Sequence, residues 1–473
     1  MTATDTDSTR ALAALDARFE NTLAELCELA RIPSVSAPGF DARELERSAV
    51  AVAAQMRGAG LEHVEVLRVR GAHPYVVGDW LRAGSAAPTV LIYAHHDVQP
   101  PGRPEKWETP AFEPTLRADG RLYGRGVVDD KAGLMVHLAA LRACLETAGV
   151  APVNVKLIVE GEEEIGSPHL EAFLRAHRER LAADVIVLSD TANLDAGIPS
   201  LTTSLRGLVV VDVRVRALDH PLHSGMWGGP VADSASALVR LLARLVDDRG
   251  VILVPGIYDD VRALSDDERA RLARLPFEEQ VFRGQAGLLT SGALAGEPGF
   301  SAYERLWLRP SLAFTALEGV PLAGAANRLM EQASARVGLR LAPSQDAARA
   351  ARLLLEFLRT DPPNGVGVEV SVESASSGWE TSPVGPAFDA ARRALEAGYG
   401  RELAFIGCGG SIPFVGPFAE VLGGVPALML GLEDPICNAH GENESLNVDD
   451  FARAARSAVH LYFELARLSS RAS

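Results

Sequence analysis

The sequence predicts an α/β fold with a mostly parallel sheet flanked by helices and with a smaller α+β domain inserted into it. The prediction rests on short apolar runs that alternate with helical segments, and on a middle region with a different pattern. The chain has 473 residues, whereas single hydrophobic cores stop growing at roughly 250 to 300 residues. We therefore expect two domains.

Most of the predicted elements follow from hydrophobic periodicity. Apolar residues recur every three or four positions in five predicted helices: 12–30, 42–59, 132–148, 345–359 and 449–467. Continuous β-branched and apolar runs predict four buried strands: 89–93, 155–160, 184–189 and 426–431. Strands that alternate with helices in this way indicate a parallel sheet covered by helices.

The middle of the chain is organised differently. Residues 208–218 alternate between apolar and polar side chains, a helix is predicted at about 232–247, and 335–343 is predicted to be another strand. The helix and strand pattern of the larger domain resumes near residue 383. The predicted domains are therefore 1–205 and 383–473 as two segments of one unit, with 206–382 as the insertion.

Composition and charge exclude several classes of function. The chain is 47% hydrophobic and 23% charged, with a net charge of −16, so we expect a folded protein that binds neither nucleic acid nor an anionic membrane. The start MTATDTDSTR lacks a signal-peptide pattern, and no apolar run reaches the length of a membrane span. The four cysteines lack CxxC spacing, which favours reduced thiols. The predicted location is the cytoplasm.

Acidic and histidine residues follow each of the four predicted strands. His95 and Asp97 follow the first, an EGEEEIGS segment ends the second, Asp190 ends the third, and His440 lies beyond the fourth. Taken singly, the acidic segment could be a solvated loop, and the Asp129-Asp130-Lys131 run before a predicted helix could supply an N-capping aspartate. Because ligands bind at the carboxyl ends of such strands, their joint occurrence favours a divalent cation site.

Ten motifs also carry a family resemblance, which extends from about residue 90 to 450. The chain resembles the di-zinc metallopeptidases that include aminoacylases and carboxypeptidase G-like enzymes, and most closely the branch of cytosolic non-specific dipeptidases and carnosinases. The motifs occur in that family's order: YAHHDVQP, LYGRGVVDDK, EGEEEIGS, LSD, LTTSLRG, PLHSGMWGG, PGIYDDV, RPSL, GGSIPF and AHGENES.

The resemblance implies a ligand set for two divalent ions. Asp129 would bridge them, with His95 and Asp190 on one ion and Glu164 and His440 on the other. Zinc is favoured, and manganese or cobalt are alternatives, because all three accept histidine and carboxylate ligands. Three carboxylates against two divalent ions leave the site electrophilic, so that it can acidify a bridging water.

The resemblance also implies the reaction, which is hydrolysis of the amide bond of a dipeptide with a free C-terminal carboxylate. Glu163 would be the general base that takes a proton from the water, leaving a hydroxide that bridges the two metals. Asp97 would orient the imidazole of His95. The inserted unit would be a lid and dimerisation domain.

Further residues are assigned through the same resemblance. His223 would stabilise the oxyanion from the partner subunit of a homodimer, although a loop histidine without a role is the plainer interpretation. Arg340 would bind the substrate carboxylate, although an arginine on a strand often faces solvent. Gly410 and Ser411 would add donors to the same carboxylate, and Asn327 would help to hold the carbonyl.

Two alternatives stay open at this point. Relatives usually carry Arg-Glu where this chain has Gly407 and Cys408, so an N-acyl amino acid deacylase or a carboxypeptidase of the same family remains an alternative. A metal-binding scaffold without catalysis is a more remote one. The presence of Glu163 argues against a scaffold, because pseudoenzymes often lose the base.

Overall fold

The computed structural model describes residues 3–412 and 415–468. The helices are α1 Ala3–Ala30, α2 Ala42–Gly58, α3 Lys131–Ala148, α4 Leu170–Ala176, α5 Arg178–Leu181, α6 Ser224–Trp227, α7 Ser234–Ala243, α8 Asp266–Arg274, α9 Glu279–Gln285, α10 Ala302–Trp307, α11 Ala347–Arg359, α12 Pro386–Tyr399, α13 Val415–Val421 and α14 Val448–Leu465. The strands are β1 Glu62–Leu67, β2 Tyr75–Trp80, β3 Thr89–His95, β4 Thr115–Leu116, β5 Arg121–Tyr123, β6 Asn154–Glu160, β7 Val185–Ala192, β8 Ser200–Leu205, β9 Gly207–Arg216, β10 Leu222–His223, β11 Ser311–Glu318, β12 Arg328–Leu329, β13 Gln332–Leu341, β14 Gly367–Ser376, β15 Trp379–Glu380, β16 Ala404–Cys408, β17 Ala427–Glu433 and β18 Ser445–Asn447.

The chain divides into two compact units. The first comprises Met1–Thr203, Ser382–Ile406 and Phe414–Ser473, and the second comprises Ser204–Thr381 with Gly407–Pro413. The sequence had placed residues 407–413 with the first unit. This segment belongs to the second unit because Gly407 packs against Trp307 and Ser204, and because the Arg206 N–H donates to the carbonyl of Gly410 at 3.1 Å.

The first unit is built on a large sheet in the order β1, β2, β6, β3, β7, β17, β8, with β16 also paired to β8. The four strands that the sequence predicted are its parallel centre, since β6, β3, β7 and β17 pair in parallel. Antiparallel strands on both sides make the sheet mixed. The α/β class predicted from the sequence is thereby confirmed.

Helices bury the first unit's central strands. The runs β3 and β6 are almost continuously buried, as expected for parallel strands covered by helices. Helix α3 packs on β3, β7 and β17, and α1, α12 and α14 pack with it into one apolar core. This core fixes the strand ends that carry the candidate ligands.

The second unit has its own core and an antiparallel four-stranded sheet in the order β11, β13, β9, β14. Helices α7 and α11 pack on this sheet. The predicted strands at 208–218 and 335–343 correspond to β9 and β13, and the helix predicted at about 232–247 corresponds to α7, which Asp233 caps by accepting from Ser236 N at 2.9 Å.

Two features of the elements depart from the periodicity. Helix α1 begins at Ala3, nine residues before the predicted start. Its first turns are polar, so they carry no apolar pattern that could predict a helix. The Arg10 guanidinium donates a hydrogen bond to the Thr147 carbonyl at 2.6 Å, which holds this part of the helix against the rest of the unit. In the described part of the chain, no helix is both long enough and apolar enough to cross a bilayer.

Candidate metal centre

The central strands of the first unit bring the predicted ligands to one edge of the sheet. In the parallel register His95, at the end of β3, lies opposite Glu160, at the end of β6, and β7 carries Asp190 near its own end. A short 3-10 turn, Glu163–Ile165, follows β6. The carboxyl ends of parallel strands share an edge, which is where open α/β sheets bind ligands.

Asp129 lies between two imidazoles. Its Oδ1 atom is 3.0 Å from His95 Nε2, and its Oδ2 atom is 3.0 Å from His440 Nε2. His95 Nε2 also approaches Asp190 Oδ1 at 3.6 Å, and His440 Nε2 approaches Glu164 Oε2 at 3.2 Å. Each oxygen of one carboxylate therefore faces a different histidine and carboxylate pair, which is the geometry a bridging ligand requires.

The structure thus assembles two ligand groups that share one residue. The groups are His95, Asp129 and Asp190, and Asp129, Glu164 and His440, each with ligand atoms within 4.8 Å of one another. Imidazole nitrogen and carboxylate oxygen are donors for zinc and similar divalent ions. The donor set therefore fits two such ions, with Asp129 common to both.

The electrostatics of this cluster also fit bound cations. Burial, together with the charge of Asp129, raises the pKa of Glu164 to about 7. Burial and the neighbouring Asp190 carboxylate raise the pKa of Glu163 well above its usual range. The same two causes, burial and nearby carboxylates led by Asp129, raise the pKa of Glu433. Cations among these carboxylates would offset their mutual repulsion.

The pKa values of the two histidines are also raised, which for an imidazole favours the charged form. Hydrogen bonds to Asp129 and Glu164 raise the pKa of His440 to about 11. Burial opposes protonation of His95, but the surrounding carboxylates, led by Asp190, raise its pKa well above the usual range. Both imidazoles therefore lie among negative charges, an environment that favours a bound cation.

Asp97 contacts both ends of the centre. The closest acceptor for His95 Nδ1 is the Asp97 backbone carbonyl at 3.1 Å, with the Oδ1 atom at 3.4 Å. The same carboxylate accepts from the backbone N–H groups of Glu163 at 3.2 Å and Glu164 at 3.0 Å. It therefore fixes the turn that presents Glu163 and Glu164 as well as lying against His95.

Glu163 differs from its neighbours in having no protein donor. Among the residues that the structure describes, none donates a hydrogen bond to its carboxylate, whereas Glu164 accepts from Gln99 N at 3.0 Å and Gln99 Nε2 at 2.9 Å. A carboxylate with open acceptor positions can take a proton from a water. Glu164 is instead held in place, as a ligand would be.

The structure does not realise the plainer interpretations of these segments. Asp130, and not Asp129, is the N-cap of α3, and its side chain makes no capping hydrogen bond. Instead Asp130 Oδ2 accepts from His95 N at 3.2 Å. The acidic segment is not a solvated loop either, because Glu162 is only 1% exposed and accepts from the Tyr75 hydroxyl at 2.7 Å.

A buried ion pair that the sequence did not reveal joins the loops of the centre. Arg125 Nη1 lies 2.6 Å from Glu444 Oε2, and both side chains are buried. Glu444 also accepts from Gly126 N and Val128 N at 3.1 Å, while Arg125 donates to the Gly441 carbonyl at 3.0 Å. The pair therefore connects the loop of Asp129 with that of His440. The only signal in the sequence is an acid four residues after His440.

The second unit contains the predicted carboxylate-binding residues. Arg340 is half-buried on β13 and donates from Nη1 to Ser411 Oγ at 3.0 Å. The Ser411 hydroxyl donates to the Arg206 carbonyl at 2.6 Å, and the Gly410 N–H donates to the Cys408 sulfur at 3.3 Å. Arg340 and Ser411 are thus brought together, but the two predicted donors are engaged within the protein.

The remaining two residues lie at the short antiparallel pair of β10 with β12 in the second unit. His223 is exposed at the end of β10, and its Nδ1 atom accepts from Gly225 N at 3.1 Å. Asn327 is exposed beside it, and its backbone carbonyl accepts from Ser224 N at 2.9 Å. The pairing of β10 with β12 therefore brings His223 and Asn327 close together.

The fold and the shared ligand groups define a class of metal-dependent α/β hydrolase. Residues 91–464 match the model of peptidase family M20/M25/M40, and the chain belongs to that family.

Relatives of known activity cover most of the chain. A cysteinylglycine-S-conjugate dipeptidase of Corynebacterium striatum is 34% identical over 371 residues, which are 78% of this chain and 79% of that protein. The structure of human carnosine dipeptidase 1 has a TM-score of 0.83 at 26% identity and covers 98% of this chain and 99% of its own. An M20 family metallo-carboxypeptidase from Sulfolobus solfataricus has a TM-score of 0.81 at 28% identity, covering 94% of this chain and 99% of its own.

Proposed function

We propose that this member of the M20 family is a metal-dependent dipeptidase that cleaves dipeptides with a free C-terminal carboxylate. The observation that carries the proposal is Asp129, whose two oxygens each lie 3.0 Å from a different histidine. His95 and Asp190 would complete one metal site, and Glu164 and His440 the other. The dipeptidase activity of the relatives supports this substrate class.

The ions would be zinc, or manganese or cobalt, and when bound they supply a polarised carbonyl and an acidified water. Glu163 acts as general base: its carboxylate has open acceptor positions, so it can take the proton of the attacking water and pass it to the departing amine. Asp97 holds Glu163 in place through the backbone N–H at 3.2 Å. This step hydrolyses the amide bond.

The second unit would recognise the rest of the substrate. Arg340 would bind the C-terminal carboxylate, since its guanidinium presents parallel donors that match a carboxylate. Ser411, at 3.0 Å, orients that guanidinium, and Gly410 shapes the adjacent backbone. In a homodimer, the exposed His223 would reach the partner's site and stabilise the oxyanion, with Asn327 beside it on the carbonyl.

The proposed setting is the cytoplasm. Cys144 and Cys437 are buried thiols, as is usual for proteins of a reducing compartment.

The direct test is reconstitution of a metal-stripped preparation. The chelated protein should have no activity, and added zinc, manganese or cobalt should restore release of amino acids from dipeptides. Amine release from a panel of dipeptides, N-acyl amino acids and longer peptides separates the alternatives. If none of these metals restores turnover of any substrate in the panel, the proposal is contradicted.

A carboxypeptidase is a second candidate because of the structural likeness to the Sulfolobus metallo-carboxypeptidase. A carboxypeptidase would release the C-terminal residue of tripeptides and longer peptides at rates comparable with those for dipeptides. A dipeptidase would cleave dipeptides alone. The chain-length series in the same panel therefore distinguishes the two.

A further inference from the structure

Two arginines lie together in the second unit, and none of the residues described in the structure places a carboxylate beside them. Arg206, between β8 and β9, is 8% exposed, and Arg340 lies on β13. The Ser411 hydroxyl contacts both residues, since it donates to the Arg206 carbonyl and accepts from Arg340 Nη1. Burying two like charges is costly unless an anion compensates them.

The neighbours of Arg206 are neutral. Its Nε atom donates to the Gly409 carbonyl at 3.0 Å, and its Nη1 atom donates to Ser311 Oγ at 2.9 Å. Ser311 lies directly opposite Arg340 in the pairing of β11 with β13. The guanidinium is therefore fixed in direction by a carbonyl and a hydroxyl, and neither neutralises its charge.

The two positive charges act on one another. Burial, together with the charge of Arg340, lowers the pKa of Arg206 to about 10. Burial also lowers the pKa of Arg340. Among the residues that the structure describes, the one acidic group acting on either arginine is Cys408, a thiol and not a carboxylate. The two guanidinium groups therefore have no carboxylate to compensate their charge within the described part of the chain.

We infer that this pair of arginines selects substrates with two carboxylates, that is, dipeptides whose C-terminal residue is glutamate or aspartate. Arg340, together with Ser411, binds the α-carboxylate of the C-terminal residue. Arg206 neutralises the charge of the side-chain carboxylate. This inference rests on the proposed function, because it treats the two arginines as part of the site that binds the C-terminal residue of the substrate. Because Cys408 is a thiol and not a carboxylate, it leaves the charge of Arg206 uncompensated. The preference for a second substrate carboxylate follows from this.

The test compares Ala-Glu with Ala-Gln, which have nearly the same shape but differ by one charge. With the metal-loaded enzyme, kcat/KM should be higher for Ala-Glu by about tenfold or more, as expected for a charge-assisted hydrogen bond. Cys408→Glu places a carboxylate beside both arginines and should reduce that ratio toward one, whereas the matched control Cys408→Ser adds no charge and should preserve it. A wild-type ratio near one, or a ratio that Cys408→Glu leaves unchanged in a folded protein, overturns the inference.

A binding measurement separates this inference from the proposed function. Glutarate and butyrate contain no amide bond, and thermal unfolding reports their binding without turnover. Glutarate should raise the unfolding temperature of the wild type more than butyrate at equal ionic strength, and Cys408→Glu should remove the difference. Equal shifts in the wild type overturn the inference. If no substrate of the panel is hydrolysed, the proposed function fails, and the dicarboxylate comparison then shows only whether the arginine pair prefers two carboxylates.

Discussion

Asp129 contacts a different histidine with each carboxylate oxygen, and this places a single residue in both ligand groups. The residues around it have separate tasks. Gln99 donates to Glu164 at 2.9 Å, whereas no described residue donates to the Glu163 carboxylate. The proposed ligand and the proposed base are thus distinguished by their hydrogen bonds, although they are adjacent in the chain.

This distinction predicts the effect of Glu163→Gln. The amide cannot accept a proton from water, so kcat should fall by about 10²- to 10⁴-fold, the usual contribution of a general base. Metal content should not change, because the residue is not a ligand. Glu171→Gln, at an exposed ion pair with Arg175, is the matched control. A near-native kcat in the Glu163 variant would contradict the assignment of Glu163 as general base.

The buried Arg125 and Glu444 pair predicts a loss of stability. Glu444→Ala leaves a buried guanidinium unpaired, which should cost about 3–5 kcal/mol in the free energy of unfolding. Urea denaturation measures this cost. Glu108→Ala, which removes an exposed partner of Arg117, should change stability little. Equal effects of the two substitutions would show that the buried pair does not hold the loops together.

The candidate metal ligands were easier to predict than the residues that hold them in place. His95, Asp190 and Asp129 follow predicted strands or precede a predicted helix, so the alternation of elements located them. Glu444 and Arg125 are 319 positions apart, and their pairing exists only once distant loops meet. No local pattern could indicate that contact.

At the scale of elements, α3 packs closely on the strand that carries Asp190. A Cβ atom on Gly133, in the first turn of α3, would lie 2.0 Å from Asp130 Oδ1 and 2.4 Å from the Ser189 carbonyl. Only glycine permits this approach, which sets the start of α3, and with it Asp129, against β7.

Gly133→Ala should therefore displace the start of α3. We expect a loss of about 1–3 kcal/mol in the free energy of unfolding, the range for overpacked sites, together with weaker metal binding. Gly284→Ala is the control, since a Cβ atom there meets nothing within 4 Å. Denaturation and metal titration measure both effects. Native metal affinity and stability in the Gly133 variant would contradict the proposed role of this contact.

Buried elements were predicted better than exposed ones. The strands β3, β6, β7 and β17 are apolar runs, because helices cover both of their faces. Strands β11 and β14 were not predicted. Most of their residues are exposed, so neither carries a strong apolar pattern, and they are strands because of their pairing with β13 and β9.

At the scale of the whole molecule, the proposed homodimer makes a quantitative prediction about mixed subunits. His223→Ala and Glu163→Gln should each inactivate every site in their own dimers. If His223 acts in the partner's site, mixed dimers hold one intact site of two. Since random exchange makes half of the dimers mixed, about a quarter of wild-type activity should return. No recovery after verified exchange would place His223 elsewhere.

The central claim is that one centre holds two ions through the shared Asp129. Elemental analysis of the purified protein after metal loading measures this most directly, with His440→Ala and Asp129→Ala as the informative variants. We predict two divalent ions per chain in the wild type, one in His440→Ala, and fewer than one in Asp129→Ala, because only Asp129 belongs to both ligand groups. A wild type with one ion, or an Asp129→Ala variant that keeps two, would contradict the account.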